Sequence, residues 1–232
     1  MRPVDRGDAP PDAEGIAATF ERPEDMKPHL EARLGPYCSY CERRVSVSLA
    51  VEHKQPKGSW PGGTLDWGNV LLGCANCNSS RPKHPINLDD YYWPDRDNTA
   101  RAFAYVADGS IAIHPQLSAD QAARAQSTLE LTGLDRRPGH ARLSPLDKRW
   151  LDRFEVRRIA EGSLEDVRRH ATEEQRRKVV RQALFCGLWS VWMTVFRDDR
   201  DMLRRLIEAF PGIAKDCFDE QCRPVPRPGG AL

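Results

Sequence analysis

The chain has 232 residues, 40% of them hydrophobic and 30% charged, and a formal net charge of +1. This is enough chain for a sizeable core, as one domain or a small domain with a helical annex. No apolar run approaches bilayer-spanning length, and Arg2 with the Pro, Asp and Gly residues after it breaks any signal-peptide pattern, so a cytoplasmic protein without membrane contact is expected.

Residues 1–15 are rich in Pro, Gly and Asp and carry no apolar period, which predicts a mobile terminus reaching to about residue 22. Met26, Leu30 and Leu34 have helical spacing over 23–34, and Gly35 and Pro36 stop that helix just before Cys38. Val45, Val47, Leu49 and Val51 alternate as in a half-buried strand, with His53 on the same parity. A loop follows, marked by Pro56, Gly58, Pro61, Gly62 and Gly63, and then Asn69 opens the apolar run Val70, Leu71 and Leu72. A short helix with Asn78 in its first turn comes next, limited by Pro82. Segments 101–106 and 111–113 flank Asp108 and Gly109, a hairpin signal.

From Ser118 onward the pattern is helical. Ser118 and Gln121 form a capping box for a helix to about Leu131, while Ser144 with Pro145, Ser163 with Asp166, and Thr172 with Gln175 offer further starts. The tract 184–196 is apolar almost all round, with Trp189 and Trp192 three apart, and predicts one central helix. A last helix runs from about Asp199 and ends before Pro211. The predicted organisation is a mobile N-terminus (1–22), a core with flanking helix and hairpin (23–114), a helical region (115–222) and a frayed tail (223–232).

The chemistry concentrates in 38–83. Cys38, Cys41, Cys74 and Cys77 form two Cys-x-x-Cys pairs, the spacing with which each pair chelates one edge of a zinc tetrahedron. Four thiolates leave no open position, so such a zinc holds the fold and catalysis needs a second ion. Cys186, Cys217 and Cys222 remain as an odd set, which suits a reducing compartment. His53 follows an acid, precedes a Gly-rich loop and lies between the zinc half-sites, which marks it as a general base; the competing account is a core histidine satisfied by a backbone carbonyl. Glu52 and Asn78 offer the hard oxygen donors that Mg²⁺ or Mn²⁺ prefers. Asn69 reads as the residue whose amide ties the loop so that His53 faces the phosphate, or as an ordinary turn Asn. Trp67 is a candidate wall of the site. Lys54, Lys57, Arg81 and Lys83 are candidate phosphate contacts. Residues 38–84 carry six basic against three acidic side chains, and 142–206 carry sixteen against eleven. Because a zinc tetrathiolate adds two negative charges to the first segment, the helical region is the expected phosphate-facing surface.

The sequence Cys-x-x-Cys, Glu52-His53, Trp67-x-Asn69-x-Leu-Leu and Cys-x-x-Cys-Asn78 resembles the HNH endonucleases. More narrowly, Cys38-Ser-Tyr-Cys-Glu42, Glu52-His53 with Pro56-Lys57, and Asp66-Trp67-Gly-Asn69 followed by Cys-Ala-Asn-Cys-Asn78 resemble the PtuB-like nucleases of Septu and retron anti-phage systems. The likeness covers 38–84 and continues more weakly to 137. It implies a small zinc-stapled ββα-metal core, to which the patterns above add a β-hairpin and a mainly α-helical C-terminal region, so an α+β fold is expected. It also implies phosphodiester hydrolysis with His53 as base, Mg²⁺ or Mn²⁺ on Glu52 and Asn78, and 5′-phosphate and 3′-hydroxyl products. Many relatives have Asp and His where this chain has Glu52 and Asn78. DNA is the favoured substrate; an RNA- or tRNA-cleaving effector and a non-catalytic zinc-stapled binding module are the alternatives. In the systems it resembles, an ABC-type ATPase is encoded beside the nuclease, which implies such a partner docking outside 38–84, on residues 115–210.

Overall fold

The computed structural model describes residues 1–58 and 62–232, so the expected loop position Pro61 lies outside the described residues. Among them, the chain forms seven α-helices and two two-stranded antiparallel sheets. A 3₁₀ turn, Pro23–Met26, leads into α1 (Lys27–Leu34), which buries Leu30 and Leu34. Strands β1 (Ala50–His53) and β2 (Val70–Gly73) pair with Glu52 opposite Leu71 and His53 opposite Val70, and α2 (Ala75–Asn78) follows at once. This is the ββα unit. Strands β3 (Phe103–Tyr105) and β4 (Ile111–Ile113) form the expected hairpin. Its Gly109 has φ +81°, and a Cβ there would lie 2.3 Å from the Trp150 carbonyl oxygen, so the turn needs glycine both for its backbone and for its approach to the helix behind it.

That helix is α4 (Arg149–Arg169), which packs with α5 (Glu173–Cys186) and α6 (Trp189–Val195), and α7 (Arg200–Ala209) packs on α5 and α6; α3 (Ala119–Thr132) lies against the hairpin. The Ser118 capping box is formed in full, and Thr172 caps α5 through Gln175 N. One continuous hydrophobic cluster joins all these elements, with Trp93, Trp189 and Trp192 fully buried.

Four local expectations are corrected. The alternating run 45–51 is strand only from Ala50, because Ser48 turns the chain at φ +76° and leaves Val47 exposed. Ser163 starts no helix: it lies inside α4, on the buried stripe with Val156, Ala160 and Val167, and its Oγ bonds Ile159 O and Gln182. The Ser144 turn comes before α4, which begins five residues later. The tract 184–196 is two helices rather than one. Gly187 and Leu188 take positive φ between α5 and α6, and there Leu188 N donates to Glu42 O at 2.9 Å. A Cβ on Gly187 would lie 2.7 Å from that carbonyl, so the break seats the turn that follows Cys41.

Both ends of the chain also differ from expectation. Met1 to Val4 are buried; Arg2 donates to the carbonyls of Leu34 and Pro211 at 2.9 Å each and covers the rings of Tyr37 and Phe210. In the expected tail, Leu232 is buried, its carbonyl accepts from Asn98 N, and Arg227 donates to Val4 O and Pro94 O. Neither segment has an apolar period, since much of what holds them is bonding to backbone carbonyls, from arginine side chains and from backbone N–H groups, with the Met1 ammonium paired to Glu42.

Candidate active site and zinc site

Cys38 and Cys41 lie on a tight turn in which Glu42 N bonds Cys38 O and Cys38 N bonds Arg43 O. Cys74 and Cys77 flank the start of α2. All four are buried, and their sulfurs lie within 4.8 Å of one another, Cys41 to Cys74 at 3.6 Å. A tetrahedron with Zn–S bonds of about 2.3 Å places its sulfurs about 3.8 Å apart, so the cluster fits a structural zinc ion. The surroundings favour thiolates: Cys74 N donates to Cys38 Sγ at 3.4 Å, Arg43 Nη2 to Cys74 Sγ at 3.7 Å and Arg149 Nη1 to Cys77 Sγ at 3.2 Å. Two guanidiniums thus stand against the two net negative charges of a zinc tetrathiolate.

Glu42, directly after Cys41, is buried at φ +65°. Its carboxylate accepts from Ser190 N (2.7 Å), Ser190 Oγ (2.6 Å) and Tyr105 Oη (2.9 Å), so it caps the first turn of α6 and joins the cysteine turn to the hairpin and the helical region. Sequence reasoning left it within a motif and assigned it no role.

Beside the zinc site, β1, the end of α2 and the 3₁₀ turn before α1 enclose an open cavity of about 710 Å³. Glu52, His53 and Asn78 line it together, as do Lys54, Lys57, Arg81 and Lys83. His53 Nε2 lies 2.9 Å from Thr64 O. A carbonyl only accepts, so Nε2 carries the proton and Nδ1 is the ring's acceptor. Burial depresses the imidazole pKa, with the Thr64 bond opposing it, and Lys57 adds to the depression while Glu24 works against it. The bond that would mark a satisfied core histidine therefore also leaves a neutral ring with a free acceptor on a cavity wall.

Burial pushes the Glu52 carboxyl up to about 7, against the pull of Arg81 and Lys57. Asn78 is exposed at the last position of the single-turn helix α2. A carboxylate and an amide oxygen on one cavity fit a hard divalent cation, which commonly takes one or two protein ligands and fills the remaining positions with water and phosphate oxygens. Asn69 sits behind the wall, buried; its Oδ1 accepts from Gln55 N at 2.8 Å and its Nδ2 donates to Gly63 O at 2.9 Å, so it ties together the two ends of the loop that precedes Thr64.

The four basic candidates divide. Lys54 is buried with its Nζ 2.7 Å from Asp95, which also pairs with Arg6, and Arg81 turns inward, engaged through Nη2 and Nε as described below, with Nη1 buried and unpartnered. Lys57 and Lys83 are exposed. Glu24 and Lys27, from outside the cysteine-framed stretch, also line the cavity; one exposed and one half-buried at a helix start, they carry no motif signal. Trp67, expected as a wall, instead stacks on Phe20 and lies under Arg33, its indole donating to Gly7 O. In the helical region much of the basic excess is taken up locally: Arg149 and Arg153 are buried, and Arg157, Arg169, Arg176, Arg177, Lys178, Arg204 and Arg205 pair with carboxylates of the same region.

Residues 38–83 match the family model described as HNH endonuclease. Around this domain the chain is 32% identical over 78 residues to Septu protein PtuB of Bacillus thuringiensis. That alignment takes in 31% of this chain and spans 30% of the length of its relative. Among the described residues no helix is long and apolar enough to cross a membrane.

Proposed function

We propose that this protein is a metal-dependent endonuclease that hydrolyses phosphodiester bonds, with DNA favoured, as the nuclease of a defence system of the Septu type. The observation that carries this reading is His53, its Nε2 committed to the Thr64 carbonyl, in one cavity with Glu52 and Asn78. Neutral His53 accepts at Nδ1 a proton from a water molecule lined up behind the phosphorus; the P–O3′ bond breaks as the new P–O bond forms, and the 3′ oxygen takes its proton from solvent, giving 5′-phosphate and 3′-hydroxyl ends. Glu52 and Asn78 would hold Mg²⁺ or Mn²⁺, which when bound offsets charge on the phosphate and on the departing oxygen. Asn69 keeps Thr64, and so the imidazole, in place. Lys57 and Lys83 attract the flanking phosphates. Zinc on the four cysteines supplies structure.

The test is cleavage of plasmid, single-stranded DNA and tRNA by the zinc-loaded protein with Mg²⁺, with Mn²⁺ and with chelator. Cation-dependent nicking of DNA is expected. No cleavage of any substrate under any condition, with the zinc site intact, would remove the enzyme reading and leave a binding module. As the nuclease of such a system the chain would work in the cytoplasm with an ABC-type ATPase docked on residues 115–210, away from the cavity; co-elution of the two proteins on size exclusion after co-expression tests that partner, and separate elution counts against it.

A further inference from the structure

Arg81 follows α2 by three residues, and its N–H bonds Asn78 O at 3.0 Å. Its side chain turns away from solvent, only 6% exposed, and lies 4.9 Å from the centre of the Trp93 ring and 5.5 Å from that of Tyr40. From this slot Nη2 donates to His53 O at 3.0 Å and Lys54 O at 2.6 Å, and Nε lies 3.5 Å from Glu52 Oε1. Across the sheet Gly73 leaves room for the stem of the same side chain: a Cβ at that position would come 2.8 Å from Glu52 Cβ. Glu52 is therefore boxed between a glycine and a guanidinium, and one planar group spans from the segment after Asn78 to the end of the strand that carries Glu52 and His53.

We propose that Arg81 is a positioning residue, a brace that fixes Glu52 and the end of β1 relative to Asn78, and not a contact to substrate phosphate. The inference rests on the reading of Glu52 and Asn78 as the ligands of the divalent cation. A phosphate contact needs charge and exposure, and lysine serves nearly as well as arginine there. A brace needs the fork. The guanidinium serves two carbonyls through Nη2 and faces a carboxylate through Nε while its centre lies 4.9 and 5.5 Å from two aromatic ring centres, and an ammonium on a flexible stem does not reproduce that set. A side chain that touches the ligands and not the ion acts by holding them in the geometry the ion requires, so its loss is felt as weakened ion binding.

The experiment uses the full zinc-loaded chain with Mn²⁺ as probe, its binding followed by electron paramagnetic resonance without nucleic acid, and with zinc content and thermal unfolding as controls. Arg81→Lys and Arg81→Gln are each expected to weaken Mn²⁺ binding about 10- to 100-fold, the range for loss of an outer-shell partner, while zinc stays bound. Raising Mn²⁺ should then restore most of kcat, with KM for substrate little changed. In a Glu52→Gln background, Arg81→Lys should add little, because the brace acts through that carboxylate. Wild-type Mn²⁺ affinity in Arg81→Lys, with a salt-dependent rise in substrate KM for Arg81→Gln, would overturn the proposal in favour of a phosphate contact, and so would additive losses in the double variant. If the unaltered protein binds no Mn²⁺, or Asn78→Ala binds it as well as the unaltered protein does, the cation reading itself fails and the brace falls with it. If Arg81→Gln loses zinc, Arg81→Lys and the Glu52→Gln pair still decide.

Discussion

Replacing Arg149 with Met tests whether the zinc site and the helical region are one structure. The guanidinium is buried and fully engaged: Nε and Nη2 bond the two oxygens of Asp147 at 2.8 and 2.6 Å, Nη1 and Nη2 bond the carbonyls of Thr132 and Gly133 at 2.7 and 2.8 Å, and Nη1 reaches Cys77 Sγ at 3.2 Å. Methionine keeps the apolar stem and removes every donor. It leaves a buried carboxylate without its partner, which costs about 3–5 kcal/mol. The two carbonyls at the C-terminal end of α3 lose their donor as well, at about 1–3 kcal/mol each where water does not replace it. Relaxation and water entry offset part of this, so a net loss of about 3–5 kcal/mol is expected. With a urea slope of roughly 3 kcal/mol per molar for a chain of this size, the midpoint should drop on the order of 1 M. Buried Trp93, Trp189 and Trp192 make intrinsic fluorescence a suitable signal, and zinc release to a colorimetric chelator should quicken. Adding Asp147→Asn to the variant should recover part of the loss by removing the stranded charge. A variant within about 1 kcal/mol of the parent with unchanged zinc release would refute the argument, since a loss that small is what an exposed ion pair gives.

His53→Ala should keep zinc and fold but lose about 10² to 10⁴ in cleavage rate, the contribution of a placed general base; parental turnover would sink the mechanism. Because burial depresses the His53 pKa, the neutral base persists below the ordinary imidazole value of about 6.5, so activity should hold down to that pH and fall only as pH drops through the lowered pKa. The same group makes folding more stable above the unfolded value and less so as pH falls through the folded one; at saturating Mg²⁺, which keeps Glu52 ionised although burial raises its carboxyl to about 7, an acid limb of the pH–rate profile above 6.5 would contradict the lowered His53 pKa. Cys77→Ser should lower zinc content and unfold the core, whereas Asn78→Ala should keep zinc and raise only the Mg²⁺ or Mn²⁺ requirement, as read by metal analysis and cation titration of cleavage; equal zinc loss in both would show one site drawn as two. Asn69→Ala leaves Gln55 N and Gly63 O without their amide partner, so a loss of about 2–3 kcal/mol in stability should accompany slower cleavage in a urea titration and rate assay.

The zinc ligands were legible because chelation demands a spacing that shows in the string, and the caps at Ser118 and Thr172 because each motif satisfies backbone donors locally. The same motif at Ser163 misled, since a box signature inside a helix long enough to carry its own buried stripe has no free N–H groups to cap. Gly187 was passed over inside an apolar run; its reason lies 145 residues away, in the turn after Cys41 that the gap between α5 and α6 accommodates. The chain ends were misread for a related cause. Arg2 and Arg227 hold them by donating to carbonyls, and a carbonyl has no residue identity for a pattern to detect. At the site, composition could count Lys54 and Arg81 among the basic residues but could not say that Asp95 and Glu52 would claim them.

These long-range ties explain how strands of four residues and a helix of one turn can hold a site in place. A two-stranded sheet of that length is marginal alone, and nucleation of a single helical turn is unfavourable. Zinc on the four cysteines would join the two cysteine turns, and the outer faces of those turns are held by groups from elsewhere: Arg149 of α4 on Cys77, and Ser190 of α6 with Tyr105 of β3 on Glu42. The cysteine turn is at once the support of β1 and β2 and the N-terminal cap of α6. A displacement of α6 against β3 must therefore either break the bonds to a buried carboxylate, worth about 1.5–3 kcal/mol each, or strain the cysteine turn. The helical region is in this sense part of the site, and a cut that isolates 38–84 removes the groups that hold its geometry.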